Sequence, residues 1–346
     1  MSQQLTIDAV LSHCIKIEAS DVHMSDRDYI GFRVHGALGK LNSLAPLDTQ
    51  TIENMLKSLL KNNQSAYNEF LEKRDLDFAH IHSDGTPFRI NAFFKMGRMS
   101  LVMRRIASSA KSIEELALPR GVEKFTRAKG LILVTGPTGS GKSTSMVSIL
   151  NTINKIRREH ILTIEDPIEF VFTDEQSIFS QREVGHDTKS FTTALRAAMR
   201  EDPDIVMVEM RDRETVEAAV ELAETGHLVF STLHTSGSVQ TITRLVNFFH
   251  PELQHAFRYK LGDILFVLSQ RLVPAVAGGR TGIFELMMMT PGIRNLIRTG
   301  DLVQINNAIE MGQSEGMITM KNYADNLRDR QIIREEDYIN FFQDDM

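Results

Sequence analysis

The chain has 346 residues, enough for about two domains, each able to bury its own core. Lys plus Arg number 39 against 45 Asp plus Glu, a net charge of −6, with 24% charged and 42% hydrophobic residues; this soluble composition excludes disorder, collagen and a disulfide mini-protein. An acidic total lacks the positive field that nucleic-acid binding usually needs, so nucleic acid is a minor reading that would rest on a local basic groove.

The opening residues, MSQQLTIDAV, carry no basic region followed by an apolar run and do not read as a signal peptide. Ile7, Val10, Leu11, Cys14 and Ile15 repeat at helical spacing, with Thr6 as candidate cap. Cys14 is the single cysteine, which excludes a disulfide framework and a thiolate-rich zinc site, suits a reducing cytoplasm, and reads most simply as a buried hydrophobe. Residues 30–45 and 75–106 hold short β-prone runs between turn signals, such as Ile30-Gly31-Phe32-Arg33-Val34 and Ser100-Leu101-Val102-Met103. Between them Ile52, Met55, Leu56, Leu59 and Leu60 mark one helical face, capped by Asp48 or Thr49. Residues 1–106 thus form a small α+β unit. The polar stretch 107–121, with Pro119 and Gly121, suits an interdomain connector, and 122–346 form a second domain.

That domain alternates apolar runs with amphipathic helices. The runs are Leu131-Ile132-Leu133-Val134, Ile161-Leu162-Thr163-Ile164, Ile205-Val206-Met207-Val208 and Leu228-Val229-Phe230; Phe191, Ala194, Leu195, Ala198 and Met199 form one helical face, and Val216, Ala219, Val220 and Ala223 another, ending at Gly226. The expected class is α/β with a parallel sheet covered on both faces. The most apolar region, Leu261 to Val273, is interrupted by Asp263 and Arg271 and is not a membrane span.

Directly after the first run comes Gly136-Pro137-Thr138-Gly139-Ser140-Gly141-Lys142-Ser143-Thr144, a G-x-x-x-x-G-K-[ST] phosphate loop in the required strand–loop–helix context. Glycines let successive N–H groups point inward, and the helix amino terminus adds partial positive charge. Lys142 is placed to contact the β- and γ-phosphates of ATP, and the Ser143 hydroxyl to bind Mg2+. A chance match of these four fixed positions arises in about one such chain per hundred.

Hydrolysis needs a carboxylate at a neighbouring strand end, to hold Mg2+ through water or to orient the attacking water. Two strands offer one: Ile161–Ile164 runs into Glu165-Asp166-Pro167, and Ile205–Val208 into Glu209-Met210-Arg211-Asp212. Such acids lie on the ligand side of a parallel sheet; the alternative is an exposed loop acid. His227 and His234 flank the next strand, without metal-ligand spacing. His234 is on the ligand side as a candidate γ-phosphate sensor, or else packs the strand end. Arg89, Arg104 and Arg105 in the first domain are candidates to neutralise transition-state charge, or else surface charges.

These segments together resemble the secretion ATPase superfamily, and most closely its PilT-type ATPases, which retract type IV pili. The pieces are Ala19-Ser20-Asp21-Val22-His23, Phe32-Arg33-Val34-His35-Gly36, the phosphate loop, ILTIEDPIEF at 161–170, QREVG at 181–185, ALRAAMREDPDI at 194–205 and AETGHLVFSTLHT at 223–235, in the expected order. The resemblance implies a PAS-like amino-terminal domain, a RecA-like P-loop ATPase domain, and a homohexamer that is cytoplasmic and peripheral to the inner membrane through the pilus machinery. ATP would lie between the domains. It further implies Glu165 and Glu209 as catalytic or metal-organising acids, His227 and His234 as the histidine motif with His227 on the nucleotide, Arg89, Arg104 or Arg105 on the phosphates, and Arg33 near the nucleotide. The partner expected is a membrane-embedded pilus platform protein, with a paralogous ATPase as another; no nucleic acid and no direct membrane insertion are expected.

Three departures stand out. The family has Gly before the Glu of its second carboxylate motif, whereas Asp204-Ile205-Val206-Met207-Val208-Glu209 lacks it and is one residue shorter. Because a one-residue slip reverses side-chain facing, either Glu209 is displaced or the adjoining loop absorbs the change; turnover, not nucleotide binding, is at stake. The retraction motif, typically AIRNLIRE, stands as GIRNLIRT at 292–299, and Met103-Arg104-Arg105-Ile106 looks more like the accessory PilU-type relatives. Two alternatives to a retraction motor follow: a weakly hydrolysing accessory subunit that binds ATP and a partner motor, and a pilus-assembly or type II secretion ATPase. The single cysteine argues against the second, many of whose members carry a four-cysteine zinc element.

Overall fold

The computed structural model describes residues 5–34, 37–41, 45–106 and 109–343. His35 and Gly36 of the FRVHG motif, the first two connector residues and the first four residues of the chain lie outside these. The chain forms two compact units, residues 1–108 and 109–346.

In the first unit, α1 (Ile7–Lys16) is capped by the Thr6 side chain, which accepts from Ala9 N, and buries Ile7, Val10, Leu11 and Cys14. Strands β1 (Asp21–Ser25), β2 (Gly31–Val34) and β3 (Ala37–Lys40) follow. Helix α2 (Thr49–Leu59) has Asp48 as its cap, and α3 (Gln64–Lys73) is capped by Asn63. Strands β4 (Asp75–Ile81), β5 (Pro87–Lys95) and β6 (Arg98–Arg105) complete an antiparallel sheet of order β3-β2-β1-β6-β5-β4. The helices and the alternate inward residues Val22, Met24, Phe88, Ile90, Leu101 and Met103 form one core. The thiol of Cys14 donates to the Ala19 carbonyl at 3.5 Å with none of the residue exposed, and burial pushes its pKa up to about 11. Two elements escape the sequence reading. β1 is short and rich in polar residues, and α3 buries only Tyr67 and Phe70, too few to reveal a period.

The second unit starts before the expected boundary at residue 122. Ile113 and Leu118 are buried in its core beside Val122 and Phe125 of a 3-10 helix spanning Arg120–Arg127, and the Tyr323 hydroxyl donates to the Ala117 carbonyl. Gly121 passes so close to another backbone that a β-carbon there would lie 2.6 Å from Gly316 O. Two apolar residues in a polar stretch suffice to dock residues 109–121, so they are not a free connector.

The described elements then alternate: β7 (Gly130–Thr135), α4 (Lys142–Ile156), β8 (His160–Glu165), β9 (Ile178–Glu183), α5 (Phe191–Ala198), β10 (Ile205–Glu209), α6 (Arg213–Glu224), β11 (Leu228–Leu233), α7 (Ser238–Asn247), α8 (Pro251–Ile264), β12 (Leu265–Pro274) and β13 (Arg280–Met287). The sheet has the order β13-β12-β7-β11-β10-β8-β9. It is parallel as expected except at its end, where β12 and β13 form an antiparallel hairpin. The apolar stretch 261–273 is thus a helix end running into a strand. Helices α9 (Pro291–Thr299), α10 (Ile305–Met311), α11 (Met320–Asp329) and α12 (Glu335–Gln343) close the chain. α9 carries the GIRNLIRT sequence and packs on α8, with Arg294 Nε donating to the Gly262 carbonyl at 3.1 Å. Among the described residues, no helix is long and apolar enough to cross a membrane.

Candidate active site

The phosphate loop turns from β7 into α4. Gly136 (φ 149°) and Gly141 (φ 87°) hold backbone angles that a side chain would strain, and a β-carbon at Gly136 would lie 2.2 Å from Gln270 O. The curl leaves Pro137, Thr138 and Gly139 exposed and buries Ser140. Lys142 opens α4, and its Nζ donates to the Gly136 and Pro137 carbonyls at 2.9 and 3.0 Å. Ser143 and Thr144 follow on its exposed side.

Beside the loop is a pocket of about 230 Å3, whose lining includes Thr138, Gly139, Lys142, Ser143, Glu165, Glu209 and His234. The parallel register brings them together. β10 pairs residue for residue with β8 and β11, so Val208 lies opposite Ile164 and Glu209 opposite Thr232. Glu209, at the end of β10, lines the pocket despite the shortened segment. His234 follows β11, with Nδ1 3.4 Å from Lys142 Nζ.

Burial lowers the pKa of Lys142, against the opposing pull of Glu209 and Glu169. Burial also raises that of Glu165, although hydrogen bonds from Thr163 Oγ1 (2.7 Å) and Gln181 Nε2 (3.3 Å) favour its charged form. Both shifts have one main cause, the removal of a charged group from water, and perturbed groups that share a cleft mark it as a functional-site candidate.

Two positioning groups escaped the sequence reading, although both lie within segments it singled out. Gln181, in the QREVG segment, also donates to the Phe170 carbonyl at 2.8 Å and accepts from Phe172 N at 2.9 Å, which fixes the amide that holds Glu165. Arg211 donates from Nη2 to Glu209 at 2.6 Å and from Nη1 to Asp166 at 2.8 Å, and these carboxylates raise its pKa. It ties the two acidic strand ends together.

His227 is placed elsewhere. It precedes β11 at the end of the strand away from the loop, about 20 Å along the chain direction, with Nδ1 3.1 Å from Leu222 O and 3.0 Å from Thr225 Oγ1. Within this chain it does not belong to the pocket, because the two histidines sit at opposite ends of one strand.

The candidate arginines belong to the first unit. Arg89 is paired with Asp77 across β4 and β5. Arg104 Nε donates to Asp21 Oδ1 at 2.8 Å while its side chain stays 72% exposed, and Arg33 Nε lies 3.7 Å from Asp21 Oδ2. Register explains this, since Asp21 lies directly opposite both Arg33 and Arg104. Burial would raise the Asp21 pKa, but the hydrogen bonds from Arg104 and Ser20 outweigh it and hold the carboxyl below the usual range. Arg105, beside Arg104, is partly buried.

The geometry suits polyphosphate chemistry: a glycine-rich loop at a helix start and a lysine for phosphate oxygens, a hydroxyl and carboxylates for a hard cation, and a carboxylate to orient water. Comparison with known proteins agrees. The family described as Type II/IV secretion system protein matches residues 2–277. The Type IV pilus retractation ATPase PilT of Pseudomonas aeruginosa is 42% identical over 320 residues, 91% of this chain and 92% of its own. The Type IV pilus ATPase PilU of the same organism is 34% identical over 291 residues, 83% of this chain and 75% of its own. A crystal structure of the pilus retraction motor PilT with bound ADP superposes with a TM-score of 0.90 at 40% identity, covering 97% of this chain and 96% of that one. The chain belongs to the Type II/IV secretion system protein family and is an ATPase.

Proposed function

We infer that the protein is a hexameric motor that hydrolyses ATP to power type IV pilus retraction. The observation that carries this is the near full-length likeness to the pilus retraction ATPase, in sequence and in fold, joined to a pocket that assembles Lys142, Ser143, Glu165, Glu209 and His234. In this reading the backbone of Gly136, Pro137, Thr138, Gly139, Ser140 and Gly141 cradles the phosphates. Lys142 exchanges the two carbonyls it holds for phosphate oxygens, and Thr144 lies along the same helix start. Glu209 takes the proton of the attacking water while Arg211 fixes its carboxylate, and His234 senses the γ-phosphate beside Lys142. The hydroxyl of Ser143, with Glu165 and Glu209 directly or through water, gives the hard oxygen donors that Mg2+ prefers. Mg2+, when bound, supplies charge neutralisation on the β- and γ-oxygens.

The first unit is taken as the PAS-like domain, with Arg33, Arg89, Arg104 or Arg105 supplying positive charge to a nucleotide and His227 acting in the assembled ring. The partners proposed are further copies of the chain, a membrane-embedded pilus platform protein and a paralogous ATPase, at the cytoplasmic face of the inner membrane. A second reading, an accessory ATP-binding subunit, is favoured by the PilU likeness and by the sequence segment before Glu209 being one residue shorter than the family pattern. The test is ATP turnover of the purified full-length protein beside its Glu209→Gln variant, with retraction assayed in piliated cells lacking their own retraction ATPase. Turnover no faster than that of Glu209→Gln leaves the accessory reading and removes the motor.

A further inference from the structure

The hairpin of β12 and β13 carries a row of buried polar side chains that the reaction described above does not use. Gln270, on β12, is 2% exposed, and its Nε2 donates to the Ser140 carbonyl, in the middle of the phosphate loop, at 2.6 Å. Its own carbonyl lies where a β-carbon of Gly136 would come within 2.2 Å, and its Nε2 where one at Gly141 would come within 3.2 Å. One residue thus meets the loop at its start, middle and end.

The neighbouring row supports the same edge. Ser269, in register with Thr135 of β7 and Glu285 of β13, shares a 2.6 Å hydroxyl–hydroxyl hydrogen bond with Thr135. Glu285 in turn accepts from Ser238 N and Oγ, both at 2.7 Å, at the start of α7 and four residues after His234. The hairpin therefore grips both segments that bring basic side chains to the pocket, one leading to Lys142 and the other following His234.

A loop whose N–H groups must converge on phosphate binds tightly only if its curl is set beforehand, because ordering it at binding costs affinity. The Ser140 carbonyl is the point at which a side chain from outside the loop can fix that curl. We propose that Gln270 is a positioning residue of the nucleotide site: through Ser140 it pre-forms the phosphate loop, and so sets affinity for the diphosphate moiety. This rests on the reading of the phosphate loop as the nucleotide site.

The test is ADP binding by the full-length protein, measured by titration calorimetry on Gln270→Met, which conserves volume but removes the donor, and on Gln270→Glu, whose carboxylate repels the Ser140 carbonyl. The expected result is an ADP Kd raised about tenfold in Gln270→Met, the scale of one buried carbonyl left unpaired, and raised further in Gln270→Glu. KM for ATP should follow Kd while kcat stays within about threefold of the parent. A purely structural role would lower melting temperature and active fraction but leave Kd of the folded protein unchanged. A Kd within twofold of the parent in either folded variant overturns the inference, as does failure of both to fold, since Gln270 would then hold the fold rather than the loop. Lys142→Ala in the same titration separates the two readings. Should it bind ADP like the parent, the nucleotide site itself is misplaced; should it lose ADP while Gln270→Met does not, only the role of Gln270 falls.

Discussion

The two edges of the parallel sheet use similar residues for different ends. At the amino edge, His160 lies 3.2 Å from Asp202 O and 2.8 Å from Ser180 Oγ, Asp204 accepts from His160 N at 2.9 Å, and His227 closes the end of α6. These groups satisfy backbone and neighbours. At the carboxyl edge Lys142, Glu165, Glu209 and His234 border a common cavity, and burial drives the amine and one carboxyl of that set toward their neutral forms. Similar titratable groups are thus spent on local partners at one edge and left facing a cavity at the other, where the proposed chemistry would use them.

Substitutions sharpen this contrast, and the largest effect belongs to Lys142→Ala. It should reduce ATP turnover below detection with an unchanged circular dichroism spectrum; undiminished hydrolysis would place the site elsewhere. Glu209→Gln should slow turnover by about 10²- to 10⁴-fold, the range for losing a general base, while ADP affinity stays within about threefold by titration. Equal loss of binding and turnover would make Glu209 a ligand anchor instead.

Glu165→Gln should separate activity from stability. A carboxyl whose folded pKa lies above its unfolded value lends stability that is complete below the unfolded pKa and lost as pH rises through the folded one. Above its folded pKa the charged Glu165 is therefore a liability to the fold. The amide should raise the melting temperature while lowering turnover by about ten- to a hundredfold; a lower melting temperature breaks the argument.

Lys142 predicts the pH response of binding. Its proton leaves at a lower pH than from an ordinary lysine with pKa 10.5, and phosphate prefers the ammonium form. ADP affinity should be level on the acid side and fall as pH rises through the depressed pKa, as a Kd series toward alkaline pH would show. The smallest effect is expected from His227→Ala, with ADP Kd within about twofold of the parent and a loss of only about 0.5 kcal/mol in stability, because the Leu222 carbonyl keeps Thr225 Oγ1 and the backbone N of residue 227 as donors. A Kd change as large as that of His234→Ala would dissolve the contrast between the edges.

Local chemistry made much of this legible beforehand. The phosphate loop, the acids at 165 and 209, the helix caps Thr6 and Asp48 and the buried strands all follow from spacing and residue type. What escaped depends on distant neighbours. Sequence separates Gln270 from Ser140 by 130 positions, and only the strand order brings them together. Arg211 and Gln181 lie within segments the motifs mark but carry no signal of their own until the fold shows which carboxylates they meet. His227 and His234 look symmetric as a motif, whereas strand direction makes them opposites. The segment 109–121 is polar on average, and it was the average that hid Ile113 and Leu118.

Cys14 has a practical consequence. At pH 8 a thiol with a pKa of about 11 is ionised in only about one molecule in a thousand, and thiolate is the form that reacts. With no solvent access either, the natural protein behaves toward maleimide dyes as though it had no cysteine. Single cysteines introduced on the surface of each unit can then be labelled without first removing the native one, and the distance between dyes followed through the nucleotide cycle in an otherwise unaltered chain.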